Sequence, residues 1–290
     1  MQWAPGAMHA PHHAPQAYLK KYLKKFDMGW DQARDQILKN QIAKGIFPQG
    51  TKPSTRPGDI PAWDSLSPEQ KKLYARQMEA FAAQLEHVDH EIGRIIAALD
   101  RTGALANTLI MVTSDNGASG EGGLEGSHNE MLVLNGISKT SRDENLKRYD
   151  QWGTAETDNH YHAGWAMAGN TPFRYFKQTA HNGGIADPLI VHWPKGIRAK
   201  GELRSQHHHI IDIAPTMLKA SGIEAPAEVD GVKQMPFDGV SIKYSFDDAK
   251  AASTHPVQYY EMFGNRAIYH NGWKAVTLHG NRMPWVLGGT

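Results

Sequence analysis

Residues 67–113 constrain the fold of this chain more tightly than any other stretch. Ser67 is a candidate helix N-cap, Pro68 sits at the first helical position, and Gln70 completes a capping-box pattern. Apolar residues then recur at Met78, Phe81, Leu85, Val88, Ile92, Ile95 and Leu99 in alternating steps of three and four. This spacing predicts an amphipathic helix of about nine turns, with Gly103 placed to stop it. Directly after it, Thr108-Leu109-Ile110-Met111-Val112-Thr113 is a short, almost wholly apolar and β-branched run. Such a run predicts a strand buried on both faces, as in a parallel sheet. A second run of this kind is Pro188-Leu189-Ile190-Val191-His192-Trp193. A weaker third, His209 to Ile211, leads into a predicted helix from Asp212 to Ala220 that Gly222 closes. Helix, strand, long loop, strand, helix is an α/β pattern.

The flanks are less regular. Residues 1–15 read as a Pro/His-rich loop, Tyr18 to Phe26 and Trp30 to Ala43 as partly helical and basic, and residues 47–63, with four prolines, as a loop. Ser127 to Trp165 is a long connection of low regularity, which in a compact domain is expected to be an active-site wall or disordered. Near the end, Val257 to Met262, Arg266 to His270 and Trp273 to Leu278 are strand candidates, and Asn271-Gly272 between the last two is a strong hairpin signal. The expected organisation is therefore an α/β unit over residues 1–223 and a small antiparallel β unit over residues 224–290.

Composition excludes several function classes. Of 290 residues, 31 are Lys or Arg and 30 are Asp or Glu, a net charge of +1 that argues against a nucleic-acid binder. No run approaches the roughly 18 apolar residues of a transmembrane helix, so no membrane insertion is expected. The start, Met1-Gln2-Trp3-Ala4-Pro5-Gly6, has no basic n-region and no apolar h-region, so no secretory signal is expected there. Cysteine is absent, which removes disulfides, thiolate metal sites and any cysteine nucleophile, and leaves the compartment undecided.

Ser114-Asp115-Asn116-Gly117 follows the first buried strand, and in open α/β sheets ligands bind beyond the carboxyl ends of strands. A carboxylate beside an amide oxygen is a hard oxygen pair suited to Ca²⁺ or Mg²⁺; the same triplet also reads as a polar turn bonded to its own backbone. The glycine-rich residues 117–126 form a loop rather than a phosphate cradle, since no G-x-G-x-x-G opens a helix here. Lys177 and His181, four apart ahead of Gly183-Gly184, could neutralise and protonate an anionic ester, although a solvated lysine is the plainer reading. The paired glycines suggest a close backbone approach. Sixteen histidines invite a zinc hypothesis, but without H-E-x-x-H on a helix and without cysteine it is not favoured, and His207, His208 and His209 read as a polar strand start.

Taken together, residues 4–12 (APGAMHAPH), 73–100, 105–119 (LANTLIMVTSDNGAS), 170–197 (NTPFRYFKQTAHNGGIADPLIVHWPKGI) and 210–223 (IIDIAPTMLKASGI) resemble the sulfatase family of the alkaline phosphatase superfamily, in a bacterial arylsulfatase-like form. The resemblance implies part of a mostly parallel sheet flanked by helices, with a small antiparallel C-terminal unit. It implies one divalent ion, usually calcium, with Asp115 and Asn116 matching the later pair of ligands. Lys177 matches a sulfate-contacting lysine, His9 a histidine that contacts the sulfate or assists leaving-group departure, with His12 second and His181 a weaker substrate-binding candidate. The implied partner is a small-molecule sulfate ester, and family members are often periplasmic or secreted. A metal and a lysine would stabilise charge on the non-bridging oxygens, and a general acid would answer charge on the leaving oxygen.

The departures are equally specific. The family's nucleophile is a formylglycine made from Cys or Ser in a Cys/Ser-x-Pro-x-Arg motif; this chain has no Cys, and Ser54-Thr55-Arg56-Pro57 and Ser253-Thr254-His255-Pro256 have the wrong order. The early aspartate pair is missing as well, and Asp247-Asp248 lies in the wrong place. The expectation is a carboxyl-terminal portion of a sulfatase with negligible activity alone. Phosphodiester or phosphonate monoester hydrolysis at a similar site, or an inert folded remnant, are the alternatives.

Overall fold

In a computed structural model the chain is described over residues 1–135 and 140–279. Residues 136–139 of the long connection and 280–290 of the expected C-terminal unit lie outside the described residues. Two helices open the chain, α1 (Gln16–Lys21) and α2 (Gly29–Ala43), followed by the long α3 (Pro68–Arg101) and strand β1 (Ile110–Thr113). Short helices α4 (Glu130–Leu134), α5 (Arg142–Lys147), α6 (Ala163–Gly169) and α7 (Asn182–Ile185) precede strand β2 (Leu189–His192) and helix α8 (Ile213–Ser221). A two-stranded hairpin of β3 (Glu228–Val229) and β4 (Val232–Lys233) and a three-stranded antiparallel sheet of β5 (Val257–Met262), β6 (Asn265–His270) and β7 (Trp273–Thr277) follow. The architecture is α/β, with the small antiparallel sheet near the C-terminus.

Helix α3 starts where its cap chemistry dictates. The Ser67 side chain accepts from the Gln70 backbone N–H, and the Gln70 side chain accepts from the Ser67 N–H. The first half of the helix is buried through Leu73, Tyr74, Ala80 and Ala83, whereas Leu85 and Ile96 are exposed. Inside, the buried Arg76–Glu79 pair at 3.2 Å is completed by Arg76 donating to the Trp152 carbonyl and by the Lys24 N–H donating to Glu79. A buried charge needs such partners to be tolerated.

The core is aromatic. Trp30 stacks on His162 at 4.5 Å and meets Trp63 edge-on at 4.8 Å, while the Trp165 indole N–H donates to the Tyr74 carbonyl at 2.7 Å. Gly29, with φ +78°, lies under the Trp63 ring, where a Cβ would come within 2.1 Å of ring carbons. Much of this core comes from the connection after Ser127: Trp152, Tyr161, His160 and His162 are all buried. The connection is thus a packed wall.

Three sequence expectations are corrected. β1 and β2 pair antiparallel, with Ile110 opposite His192 and Thr113 opposite Leu189, in a two-stranded sheet. They are not buried on both faces, since Ile190 is 63% exposed. A short apolar run does not by itself distinguish parallel from antiparallel pairing. His209 to Ile211 is no strand: His209 caps a 3-10 turn at Ile210–Asp212, its ring accepting from the Ile211 N–H while Asp212 accepts from the His209 N–H. Local side-chain bonds to the backbone outcompete the strand there. The helix that follows does end at Gly222, in the left-handed region at φ 69°. The hairpin at Asn271-Gly272 forms as expected, both residues having positive φ.

The loop after β1 is fastened to the segment ahead of β2. The Gly117 N–H donates to the Gly184 carbonyl at 3.1 Å, and a Cβ on Gly117 would fall 1.8 Å from the Gly183 carbonyl oxygen. Gly183 and Gly184 are pressed in the same way against the carbonyls of Tyr175 and Thr179. The close approach anticipated from the glycine pair is real: its partners are the carbonyls of residues 174–179, and Gly117 lies against the pair's own backbone.

Two outcomes are expected. Gly117→Ala should cost at least about 2 kcal/mol by urea unfolding, as overpacking against backbone does. Gly58→Ala, with open space around it, should change stability by less than about 0.5 kcal/mol. Burial also holds His12 well below its usual pKa, His160 down to about 4 and His162 down to about 3. All three are neutral in the fold, so below the ordinary value of about 6.5 the unfolded chain binds more protons. Their contribution is complete above that pH and is lost as pH falls, by up to about 1.4 kcal/mol per pH unit for each ring. Equal urea midpoints at pH 7 and pH 5 would contradict neutral buried histidines.

Candidate functional site

Lys177 and His9, 168 positions apart, meet. Lys177 Nζ lies 3.0 Å from His9 Nε2 and 3.0 Å from Glu121 Oε2. The backbone holds the lysine in place: its N–H donates to the Ala118 carbonyl at 3.1 Å, and Tyr175 and Gln178 on either side both adopt positive φ, 64° and 74°. Those left-handed positions cost energy for residues with a Cβ and need support. Asn170 supplies it at one end, donating to the Tyr175 carbonyl at 3.0 Å and accepting from the Ala118 N–H at 2.8 Å. Asn265 of β6 does so at the other, donating to the Gln178 carbonyl at 2.9 Å.

The protonation of His9 follows from its partners. Nδ1 lies 2.8 Å from the Ala10 carbonyl, which can only accept, and Nε2 faces the Lys177 ammonium, which can only donate. This assigns a neutral ring with its proton on Nδ1 and a free pair on Nε2. The side chain is 51% exposed and reachable from solvent.

Glu121, in the glycine-rich loop, sits at the centre. Ser119 Oγ donates to it at 2.8 Å, with Lys177 and Gln178 as further donors. Burial pushes its carboxyl up, but those hydrogen bonds outweigh burial and hold it below the usual range. Glu130 at the start of α4 lies 4.0 Å from His9 Nδ1 and 4.0 Å from His160 Nε2. Burial raises its carboxyl, the charges of Glu121 and Asp158 adding to the effect. His160, buried, reaches Ser119 Oγ at 3.0 Å.

Asp115 and Asn116 stand on the exposed tip beyond β1, Asp115 exposed and Asn116 half-buried. Asn116 Nδ2 donates to the Gly117 carbonyl at 3.0 Å. Asp115 faces Asp187, just ahead of β2, whose carboxyl is raised to about 6 by burial and by the Asp115 charge. Two carboxylates that feel each other's charge, with an amide oxygen next in sequence, are oxygen donors of the kind a hard divalent cation takes. Among the described residues no hydrogen bond or ion pair joins Asp115 or the Asn116 side chain to Lys177, whose side-chain partners are His9 and Glu121.

The remaining candidates fall outside this cluster. His12 is buried against Phe81, His160 and Tyr161, which makes it a core histidine. His181 packs edge-on to Tyr175 at 4.6 Å, and burial, with the charges of Arg174 and Lys274, pushes it down to about 4. Glu121, Glu130, Asp187, Asn170 and Asn265 went unremarked in the sequence; a glutamate inside the glycine-rich loop was the available signal for the first.

The chain is similar to known proteins over most of its length. The Sulfatase family model matches residues 1–223, and a model described as N-sulphoglucosamine sulphohydrolase, C-terminal, matches residues 172–275. An uncharacterized sulfatase of Schizosaccharomyces pombe is 29% identical over 263 residues, 88% of this chain and 45% of that protein. An arylsulfatase of Klebsiella aerogenes is 30% identical over 185 residues, 62% of this chain and 37% of the enzyme. A solved structure in complex with its substrate D-glucosamine-2-N,6-O-disulfate aligns at 20% identity and a TM-score of 0.44, over 72% of this chain and 33% of that one. The chain thus spans less than half the length of these relatives. It belongs to the sulfatase family, within the alkaline phosphatase-like superfamily.

Proposed function

We propose that this chain carries the sulfate-binding and cation-holding part of a sulfuric ester hydrolase, acting on small sulfate monoesters in the manner of an arylsulfatase. The observation that supports the reading is the meeting of Lys177 with His9 at 3.0 Å, on a loop fastened by Gly117 to the turn that bears Asp115 and Asn116. Among the described residues no helix is long and apolar enough to cross a membrane.

In this reading each residue has a defined task. The Lys177 ammonium neutralises a non-bridging sulfate oxygen, and its backbone clamp aims it before substrate arrives. His9 Nε2, now accepting from Lys177, is the group able to take up a proton and return it to the leaving oxygen. Glu121 fixes the lysine's direction by holding its ammonium on one side. Asp115 and Asn116, with Asp187 adjacent, would hold calcium, which supplies Lewis-acid stabilisation of the sulfate charge. Met1 to Thr290 contains no Cys or Ser in the family's nucleophile motif, so covalent chemistry is not assigned to any residue of this chain.

Calcium titration followed by thermal denaturation tests the cation site. Calcium should raise the melting temperature with concentration in the native chain, and should do so less in Asp115→Asn. Binding of sulfate in saturating calcium, followed by calorimetry, should weaken about tenfold in Lys177→Ala, as the loss of one charged hydrogen bond would produce. Turnover of a chromogenic aryl sulfate by the 290 residues alone should be negligible. A melting temperature indifferent to calcium would favour an inert remnant, and preference for an aryl phosphonate over an aryl sulfate would shift the substrate class.

A further inference from the structure

Around His9 a second arrangement is built, one member of which, Glu130, the sulfate reading does not use. One ligand atom from each of His9, Glu121 and Glu130 lies within 4.8 Å of the other two. Glu130 is the informative member. Its side chain is only 8% exposed, and among the described residues its carboxylate accepts no hydrogen bond, its ion-pair contacts being His9 and His160, each at 4.0 Å. A carboxylate held largely out of water without a hydrogen-bond donor is disfavoured, and Oε2 of this one lies 4.0 Å from His9 Nδ1. On the other side a cation already sits between two of the three donors: the Lys177 ammonium, 3.0 Å from both His9 Nε2 and Glu121 Oε2. The donors therefore converge on a point where positive charge is held.

We propose that His9, Glu121 and Glu130 form a site for a divalent transition metal of the zinc class, and that Lys177 and the metal compete for it. An imidazole nitrogen with two carboxylate oxygens is a mixed set suited to Zn²⁺ and its neighbours rather than to calcium, which takes oxygen alone. Metal binding draws His9 and Glu121 in to about 2.0–2.2 Å from the ion, gives Glu130 the partner it lacks, and expels the lysine side chain toward solvent. The neutral His9 ring, protonated on Nδ1, already presents a free pair on Nε2, so no proton need leave it on binding. Ser119 and Gln178, which hydrogen-bond to Glu121, remain to orient that carboxylate as outer partners of metal ligands do. The site is distinct from the hard pair at Asp115 and Asn116 and does not depend on the chain acting on sulfate esters. Its occupation would nevertheless take His9 away from a bound anion, so zinc would act as an antagonist of sulfate binding.

Calorimetric titration of the metal-free 290-residue chain with Zn²⁺ tests the proposal, with Co²⁺ absorption as an optical check on ligation. One equivalent should bind. Glu130→Gln and His9→Ala should each weaken binding by about tenfold or more, and Asp115→Asn should leave it unchanged. Lys177→Met should tighten Zn²⁺ binding about tenfold, because it removes a charged hydrogen-bonded competitor. That increase separates a built site from casual association with surface carboxylates, which a distant lysine would not oppose. Absence of stoichiometric Zn²⁺ binding, indifference to Glu130→Gln, loss in Asp115→Asn, or weaker binding in Lys177→Met would each overturn it.

Discussion

The contact between Gly117 and the Gly183 carbonyl is the constraint on which the rest of the site depends. Gly117 allows the turn after β1 to lie directly on the segment before β2, where a side chain at 117 would drive the two apart, and Gly183 and Gly184 let that segment lie as closely on the carbonyls of residues 174–179. Through that contact, and the neighbouring bond from the Lys177 N–H to the Ala118 carbonyl, two stretches some sixty residues apart share one surface. The Pro/His-rich start of the chain then needs only to cross that surface to bring His9 against Lys177. Its path is set by the His12 N–H donating to the Asn159 carbonyl and by the Ala14 N–H donating to the Gly153 carbonyl.

Electrostatics gives this surface two unlike halves. On the inner side, Glu121, Glu130, Lys177 and His9 form a compact group in which the ammonium meets Glu121 and the imidazole lies 4.0 Å from each of the two carboxylates. On the outer side, Asp115 and Asp187 crowd each other without a cation among the described side chains. An anionic guest would be repelled by both halves if they were left as they are. In the function proposed above, a divalent ion at the outer pair would change the balance by drawing the guest's charge toward Asn116, with Lys177 contributing from the inner side. Glu121, 3.0 Å from the ammonium, offsets part of the lysine's charge.

Local rules made some of this legible in the sequence. The start of α3 followed from Ser67, Pro68 and Gln70, the end of α8 from Gly222, and the last hairpin from Asn271-Gly272, because each is decided by residues within one turn of the backbone. The pairing of β1 with β2 was not legible, since hydrophobic runs carry no sign of strand direction. His209 to Ile211 misled because an apolar pair after three histidines has strand composition, whereas the capping bonds between His209 and Asp212 decide the outcome. At the site, Lys177 and His9 were picked out through their matching segments, but Glu121 and Glu130 could not be. Nothing near them in sequence announces that 130 and 9, or 121 and 177, are neighbours in space; only the fold of the connection after Ser127 makes them so.

The left-handed backbone at Tyr175 and Gln178 has a consequence for how evolution can adjust this surface. With a sprung residue on each side and an asparagine holding each spring, the direction of position 177 is written into the main chain and not into the lysine's own rotamer. The chemistry at that tip can be exchanged, one long side chain for another, without rebuilding the scaffold beneath. Drift at Asn170 or Asn265, by contrast, would leave the lysine chemically intact and pointing nowhere useful.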